Sequence, residues 1–361
     1  MVKSRLSRSS DKEPVKQVVE RLSIIGEHDE DRSAVEPPSF LGEDKSDNHD
    51  DKPTLQPPRT NLTMDSFELG RKLGGGMYGQ VHLARHRVSN YICALKIISK
   101  PKYVESGQEE LVRRELEVHT NLRHANILRL FAWFHDNDSI YLVLEYAPNG
   151  SLFSKLGKQP NKRFSEHTTA HHIFQIAQAL RYMHSKHIIH RDIKPENILL
   201  GFHNEIKLAD FGGSVHSASN LRSTIYGTVD YLSPEVAIMM AKPGKSEKWY
   251  TNAVDQWSLG ILTYELLVGV PPFEMDSIEE TKKKIVGFKG EIRFPDFMSE
   301  GAARFILQLL NLHAHKRMGL DEVFQHPWIV SHVSRSEKSG LRSFSRLIQA
   351  VSEAYNPRSL Q

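Results

Sequence analysis

Cysteine is nearly absent: Cys93 stands alone in 361 residues. No intramolecular disulfide can form, which fits a reducing compartment. Long apolar runs are missing too. No stretch reaches the roughly 18 apolar residues of a membrane span, and Met1-Val2-Lys3-Ser4-Arg5 lacks the apolar core of a signal peptide. A soluble intracellular protein with no membrane contact is expected. Charge of one sign is scarce: 47 Lys and Arg against 44 Asp and Glu leave +3, which argues against direct nucleic-acid binding by bulk electrostatics. Residues 1–60 are short of aromatics and of sustained periodicity, and a segment so poor in apolar area does not offset its own ordering entropy. They are expected to form a disordered N-terminal extension, basic from Lys3 to Arg21 and acidic from Glu27 to Asp51. Val15, Val18, Val19 and Leu22 allow a helical turn or two within it.

Ordered structure is expected from Phe67. Phe67 to Gly70, a glycine-rich turn and the alternating run His82 to Arg85 read as strand, turn, strand. Gly74, Gly76 and Gly79 fit G-x-G-x-x-G, with Val81 two residues on. Glycines in this spacing let backbone N–H groups approach phosphate oxygens with no Cβ in the way. The turn leads into a second strand and not a helix, which disfavours a dinucleotide-binding fold. A third strand, Tyr91 to Ile98, holds Lys96 inside an apolar run, where a charge is costly unless paired. The helical pattern from Gln108 to Leu122 offers Glu115 as its partner. Ile127 to Phe134 and Ile140 to Glu145 complete a five-stranded antiparallel sheet with one helix, and Glu145 to Gly150 reads as a hinge. The chain beyond Ser151 is mainly helical, with Ile173, Ile176, Ala177, Leu180 and Met183 forming one buried stripe. His167 and His171 have metal-ligand spacing. No glutamate lies between them and no cysteine is near, so they read as surface or core histidines.

The chemistry centres on His190-Arg191-Asp192-Ile193-Lys194-Pro195-Glu196-Asn197. A carboxylate, an ammonium and an amide at offsets 0, +2 and +5 suit phosphoryl transfer. Asp192 can accept or orient the proton of an attacking hydroxyl, Lys194 can steady a γ-phosphate, and Asn197 can hold magnesium. Asp210-Phe211-Gly212 adds a second carboxylate for Mg²⁺ on a turn that Gly212 permits. Ser233-Pro234-Glu235 follows, with Arg317 as a buried partner for Glu235, and a hydrophobic helix runs from Asp255 to Val268.

In order and spacing, these motifs resemble the eukaryotic protein kinases from about Phe67 to Trp328. The resemblance implies an α+β, two-lobed fold: an N-lobe with a five-stranded antiparallel sheet plus helix, and a mainly helical C-lobe. Lys194-Pro195-Glu196 resembles the serine/threonine class. Within it the chain is similar to the Aurora family through Arg113 to Glu117, Asn126 to Leu130, Phe134-His135-Asp136, Leu144 to Pro148, Ser214-Val215-His216, and Leu267-Val268-Gly269 ahead of Pro271-Pro272-Phe273. The resemblance implies Asp192 and Lys194 as catalytic residues, and Asn197 and Asp210 as Mg²⁺ ligands. It implies ATP bound by Leu73, Gly74, Gly76, Gly79, Val81, Ala94, Lys96, Glu115, Glu145, Ala147 and Leu199.

By the same pattern Thr224 is the activating phosphosite, with Arg114, Arg191 and Arg222 as its phosphate partners. Glu196 and Glu265 match positions that hold a substrate arginine, and Arg222-Ser223-Thr224 has that form itself. A role in chromosome segregation is implied, in the nucleus and cytoskeleton at kinetochore and spindle and partly in the cytoplasm, on a scaffold resembling the inner centromere protein. Three residues depart from the pattern. Gly213 replaces a tryptophan, which is expected to loosen the segment and weaken coupling to activating partners. Tyr226 replaces a cysteine, and Gly75 a lysine. A cyclic-nucleotide-dependent type of kinase is the alternative, although Phe344-Ser345-Arg346-Leu347 is not its Phe-x-x-Phe ending. A pseudokinase scaffold rests only on Gly75 and Gly213. Residues 329–361 form a tail with an amphipathic pattern at Leu341, Phe344, Leu347, Ile348, Val351 and Tyr355.

Overall fold

The computed structural model describes residues 62–75, 79–106, 109–216, 227–241 and 250–333. The N-terminal extension, the C-terminal tail beyond Val333, Gly76, Arg222, Thr224 and Tyr226 lie outside these residues. The N-lobe is a five-stranded antiparallel sheet of order β1-β2-β3-β5-β4, comprising β1 (Phe67–Gly75), β2 (Gly79–His86), β3 (Ile92–Ser99), β4 (Leu130–His135) and β5 (Ser139–Leu144). Gly79, at the start of β2, pairs with Ile98, and a Cβ on it would meet the Ile97 carbonyl oxygen at 2.2 Å. Only glycine permits that approach. Two helices follow β3, α1 (Lys100–Ser106) and α2 (Glu109–Thr120). The sequence pattern predicts only the second.

The strand expected from Ile127 begins three residues later. Ile127 instead bridges Leu208 of the other lobe, and Leu128 N–H donates to the Leu208 carbonyl at 2.8 Å. Asn126 adds side-chain bonds to Gln175 and to the Ile206 carbonyl. An apolar run shows that a segment is buried but not which lobe its backbone pairs with.

The C-lobe is built from α3 (Leu152–Gly157), α4 (Glu166–Ser185), α5 (Pro234–Ala241), α6 (Ala253–Val268), α7 (Ile278–Val286), α8 (Glu300–Leu309), α9 (Leu320–Val323) and α10 (Pro327–His332). Ser165 caps α4 by accepting from Thr168 N–H, worth about 1 kcal/mol. The predicted stripe Ile173, Ile176, Ala177, Leu180 and Met183 is fully buried. Packed with it in one core are α6 residues including Trp257, which stacks on Phe273 at 5.7 Å. Glu235 and Arg317 form the expected pair, with both guanidinium nitrogens 2.7 Å from the carboxylate. Short strand pairs β6 (Ile188–Ile189) with β9 (Val215–His216) and β7 (Ile198–Leu200) with β8 (Ile206–Leu208) frame the loop between the lobes.

Candidate active site

The loop from His190 to Asn197 hangs on a buried carboxylate. Asp255, in the first turn of α6 and fully buried, accepts from His190 N–H at 2.9 Å, Arg191 N–H at 2.8 Å and His184 Nε2 at 2.8 Å. Burial alone would raise its pKa, but the His184 bond, the histidine charges and the Arg191 N–H outweigh that and hold it low. Arg191 has φ 72°, a left-handed backbone that this anchor enforces.

The Asp192 carboxylate has three side-chain partners. Its Oδ2 meets Lys194 Nζ at 2.9 Å and Asn197 Nδ2 at 2.8 Å, and its Oδ1 accepts from Thr228 Oγ1 at 2.8 Å. Lys194 also donates to Thr228 Oγ1 at 2.7 Å. Burial pushes the Asp192 carboxyl up, yet the Lys194 bond and charge, then Thr228, bring it below its ordinary value. It is therefore a carboxylate at neutral pH. Because Asn197 spends its Nδ2 on Asp192, its Oδ1 is left as an acceptor, and its backbone carbonyl receives Ala209 N–H at 2.8 Å. That bond ties Asn197 to the strand end that presents Asp210. Asp210 is exposed with φ 64°. An amide oxygen and an exposed carboxylate are the hard donors that magnesium takes.

Above the loop, Lys96 Nζ meets Glu115 Oε1 at 2.5 Å, with Glu115 itself buried. The partner expected for the strand lysine is in place, and α2 is thereby drawn against the sheet. Phe211 is fully buried between His119 of α2, at 4.5 Å between ring centroids, and His190, at 5.4 Å. Burial lowers the His119 pKa to about 4, so the ring packs as a neutral aromatic, while its Nε2 is 2.7 Å from the Leu128 carbonyl.

Leu73, Val81, Ala94, Ala147 and Leu199 come together in one apolar cluster. The first three belong to the N-lobe sheet, Ala147 to the hinge and Leu199 to β7, so the cleft is lined from both sides. Gly74 follows Leu73 on β1 and pairs with Val81. Glu145 sits at the hinge, but its carboxylate turns to Lys207 Nζ at 2.6 Å and Arg129 N–H at 3.2 Å. Its N–H donates to the Arg129 carbonyl at 2.9 Å, which leaves its own carbonyl for the cleft.

Gly213 stands near the end of the described part of this segment. It is buried, and its carbonyl accepts Arg191 Nε at 2.5 Å. Arg191 Nη1 also donates to Tyr250 Oη at 2.8 Å. Glu265 is buried and accepts from the Tyr231 hydroxyl. Burial, then the charges of Glu196, Glu274 and Asp230, push its pKa up to about 8. Glu196 and Glu265 therefore belong to one acidic corner. The His171 Nδ1 is 2.7 Å from the His167 carbonyl, a helix-internal contact.

Thr228, Asp255 as an anchor and Tyr250 are absent from the motif reading. The only sequence signal for Thr228 is its place after Gly227, which has φ 126° and on which a Cβ would stand 3.0 Å from the Arg191 carbonyl oxygen. Asp255 is visible as a carboxylate in an apolar helix, a charge that demands partners.

A five-stranded lobe, a helical lobe and this cluster in the cleft define a protein kinase. Residues 67–329 match the protein kinase domain family. The chain is 50% identical over 267 residues to an Aurora kinase of Schizosaccharomyces pombe, covering 74% of this chain and 72% of that one. It is 48% identical to an Aurora kinase of Yarrowia lipolytica, with 75% and 70% covered. It is 43% identical to Aurora kinase B-A of Xenopus laevis, with 77% and 74% covered. The chain belongs to the Aurora family of serine/threonine protein kinases. Protein kinases use ATP and Mg²⁺ and act on proteins. Among the described residues no helix is long and apolar enough to cross a membrane.

Proposed function

We propose that Asp192 takes the proton of a substrate serine or threonine hydroxyl as that oxygen bonds to the γ-phosphorus of ATP. The bond from the γ-phosphorus to the bridging oxygen breaks, leaving a phosphoester and ADP. Lys194 neutralises charge on the moving phosphoryl group and, with Thr228, fixes the carboxylate that receives the proton. The observation that carries this reading is the hydrogen-bonded set Asp192–Lys194–Thr228–Asn197. Asn197 Oδ1 and Asp210 hold Mg²⁺, which when bound neutralises phosphate charge. Lys96, fixed by Glu115, meets the α- and β-phosphates. Leu73, Val81, Ala94, Ala147 and Leu199 clasp adenine, the Glu145 backbone binds its edge, and Gly74, Gly76 and Gly79 cover the phosphates.

Phosphorylated Thr224 is read by Arg114, Arg191 and Arg222, and Glu196 with Glu265 holds an arginine two residues before the acceptor. Family membership supports a role in chromosome segregation, in the nucleus, at the kinetochore and spindle and in part of the cytoplasm, on a scaffold resembling the inner centromere protein. Phosphotransfer from radiolabelled ATP to an arginine-containing peptide tests the core of this reading. Asp210→Asn should cost at least about 100-fold in kcat while the fold and Asp192 geometry persist. Wild-type turnover by that variant would refute the metal assignment.

A further inference from the structure

Away from the cleft, a groove of about 560 Å³ runs between α3, the loop after it, the start of α4 and the β7–β8 turn, lined by Lys155, Gln159, Arg163, Thr168, His172 and Asn204 among others. Its charge is one-sided. Lys155, Lys158, Lys162 and Arg163 fall close together in the chain, and no acid precedes Glu166. Among the described residues none of these four cations is paired with a carboxylate. Glu166 faces elsewhere, accepting from Ser299 and from Trp328 Nε1. Glu205, at the β7–β8 turn, is engaged by His203 N–H and faces Lys207. The Arg163 guanidinium lies 3.5 Å over the Phe297 ring, a contact that positions its charge without neutralising it.

The groove is also rigid. Asn161 and Lys162 hold left-handed φ values of 56° and 52°, Phe164 N–H donates to the Leu266 carbonyl at 2.8 Å, and Gly269 abuts the Lys162 carbonyl where a Cβ would stand 2.8 Å away. His172 lines the groove, is buried, and has no hydrogen-bond partner at Nδ1. A cationic rim without carboxylate partners, beside a buried nitrogen that lacks a hydrogen-bond partner, is complementary to an anionic group.

We propose that this groove binds the acidic stretch Glu27–Asp51 of the same chain. That stretch carries ten carboxylates against only Arg32 and Lys45. Its reach is sufficient: from Glu27 to Leu62 an extended chain spans up to about 115 Å, against about 80 Å halfway around a domain about 50 Å across. Tethering raises the local concentration of the acids to the millimolar range, so weak surface pairing becomes populated. The residues named here are separate from the catalytic set.

Treating the full chain with a water-soluble carbodiimide tests this. The reagent joins a carboxylate to a lysine amine as an amide and takes up the lost water as its urea. Lys155, Lys158 and Lys162 should carry about tenfold more links to residues 27–51 than Lys283 and Lys284 of α7, an effect of tethered pairing. The yield should fall in high salt and hold on dilution. Amide exchange over residues 155–168 should quicken when Glu43, Asp44, Asp47, Asp50 and Asp51 become the corresponding amides. Equal linking of the α7 lysines overturns the proposal, as does exchange that these substitutions leave unchanged. Links that vanish on dilution would assign the groove to a second copy and overturn it equally.

Discussion

Thr228 shares its hydroxyl between Asp192 Oδ1 and Lys194 Nζ, at 2.8 and 2.7 Å. Thr228→Val keeps the volume and removes both bonds, leaving the carboxylate free to rotate and the ammonium with one partner fewer. The expected outcome is a loss in kcat of about 10- to 100-fold with little change in KM for ATP, since misorientation of a proton acceptor acts on the transition state. Thr228→Ser should restore most of the rate, and steady-state kinetics on the two variants separates bonding from packing. Glu265 makes a second prediction. With its pKa at about 8, it is mostly protonated at pH 7, and the proposed contact with a substrate arginine would require it ionised. KM for a peptide with arginine two residues before the acceptor should therefore fall as pH rises toward 8, by up to about tenfold per pH unit well below that value. The same pKa runs the other way for stability. The native state holds a proton that the unfolded chain has released, so this residue's contribution declines between about pH 4.5 and 8. Glu265→Gln should flatten both profiles.

Arg317 is the clearest element-scale contact. Its fully buried guanidinium forks onto Glu235 and also donates to the Ala253 carbonyl at 2.9 Å. It lies 5.2 Å over Trp257 as well. The start of α5 is thereby joined to the start of α6 and to the chain preceding α9. Arg317→Ala leaves a half-buried carboxylate unpaired and should cost about 3 kcal/mol in a denaturant titration. Arg317→Lys should recover only part, because an ammonium cannot form the fork. Helix α6 combines support and chemistry: Asp255 in its first turn anchors His190 and Arg191, while Glu265 near its end lies in the acidic corner.

For the whole molecule, the Lys96–Glu115 pair fixes α2 on the N-lobe sheet, and buried Phe211 packs between His119 of that lobe and His190 of the other. Arg191 already has Gly213 and Tyr250 as partners, so the proposed phosphate on Thr224 would add to a guanidinium that is held in place. Thr224→Ala should leave nucleotide affinity within about twofold while kcat toward protein substrate falls at least tenfold, measured by calorimetry and phosphotransfer. Full activity in that variant would sink the assignment.

Much of this was legible from local pattern. Five strands, the buried stripe of α4, the Lys96–Glu115 pair and the Glu235–Arg317 pair follow from alternation, helical spacing and the rule that buried charges need partners. The helix α1 was not, since Lys100–Ser106 has no apolar stripe to announce it, and the apolar run from Ile127 overstates its strand because burial does not reveal which lobe a backbone pairs with. The make-up of the loop from His190 to Asn197 was set by the sequence alone: a carboxylate, an ammonium and an amide at fixed offsets, the set proposed here for phosphoryl transfer. Only the tertiary structure brought Asp255 under Arg191 from 64 positions away, set Thr228 between Asp192 and Lys194, and buried Glu265 among other acids. Those contacts depend on how lobes and helices pack, and neither spacing nor composition contains that information.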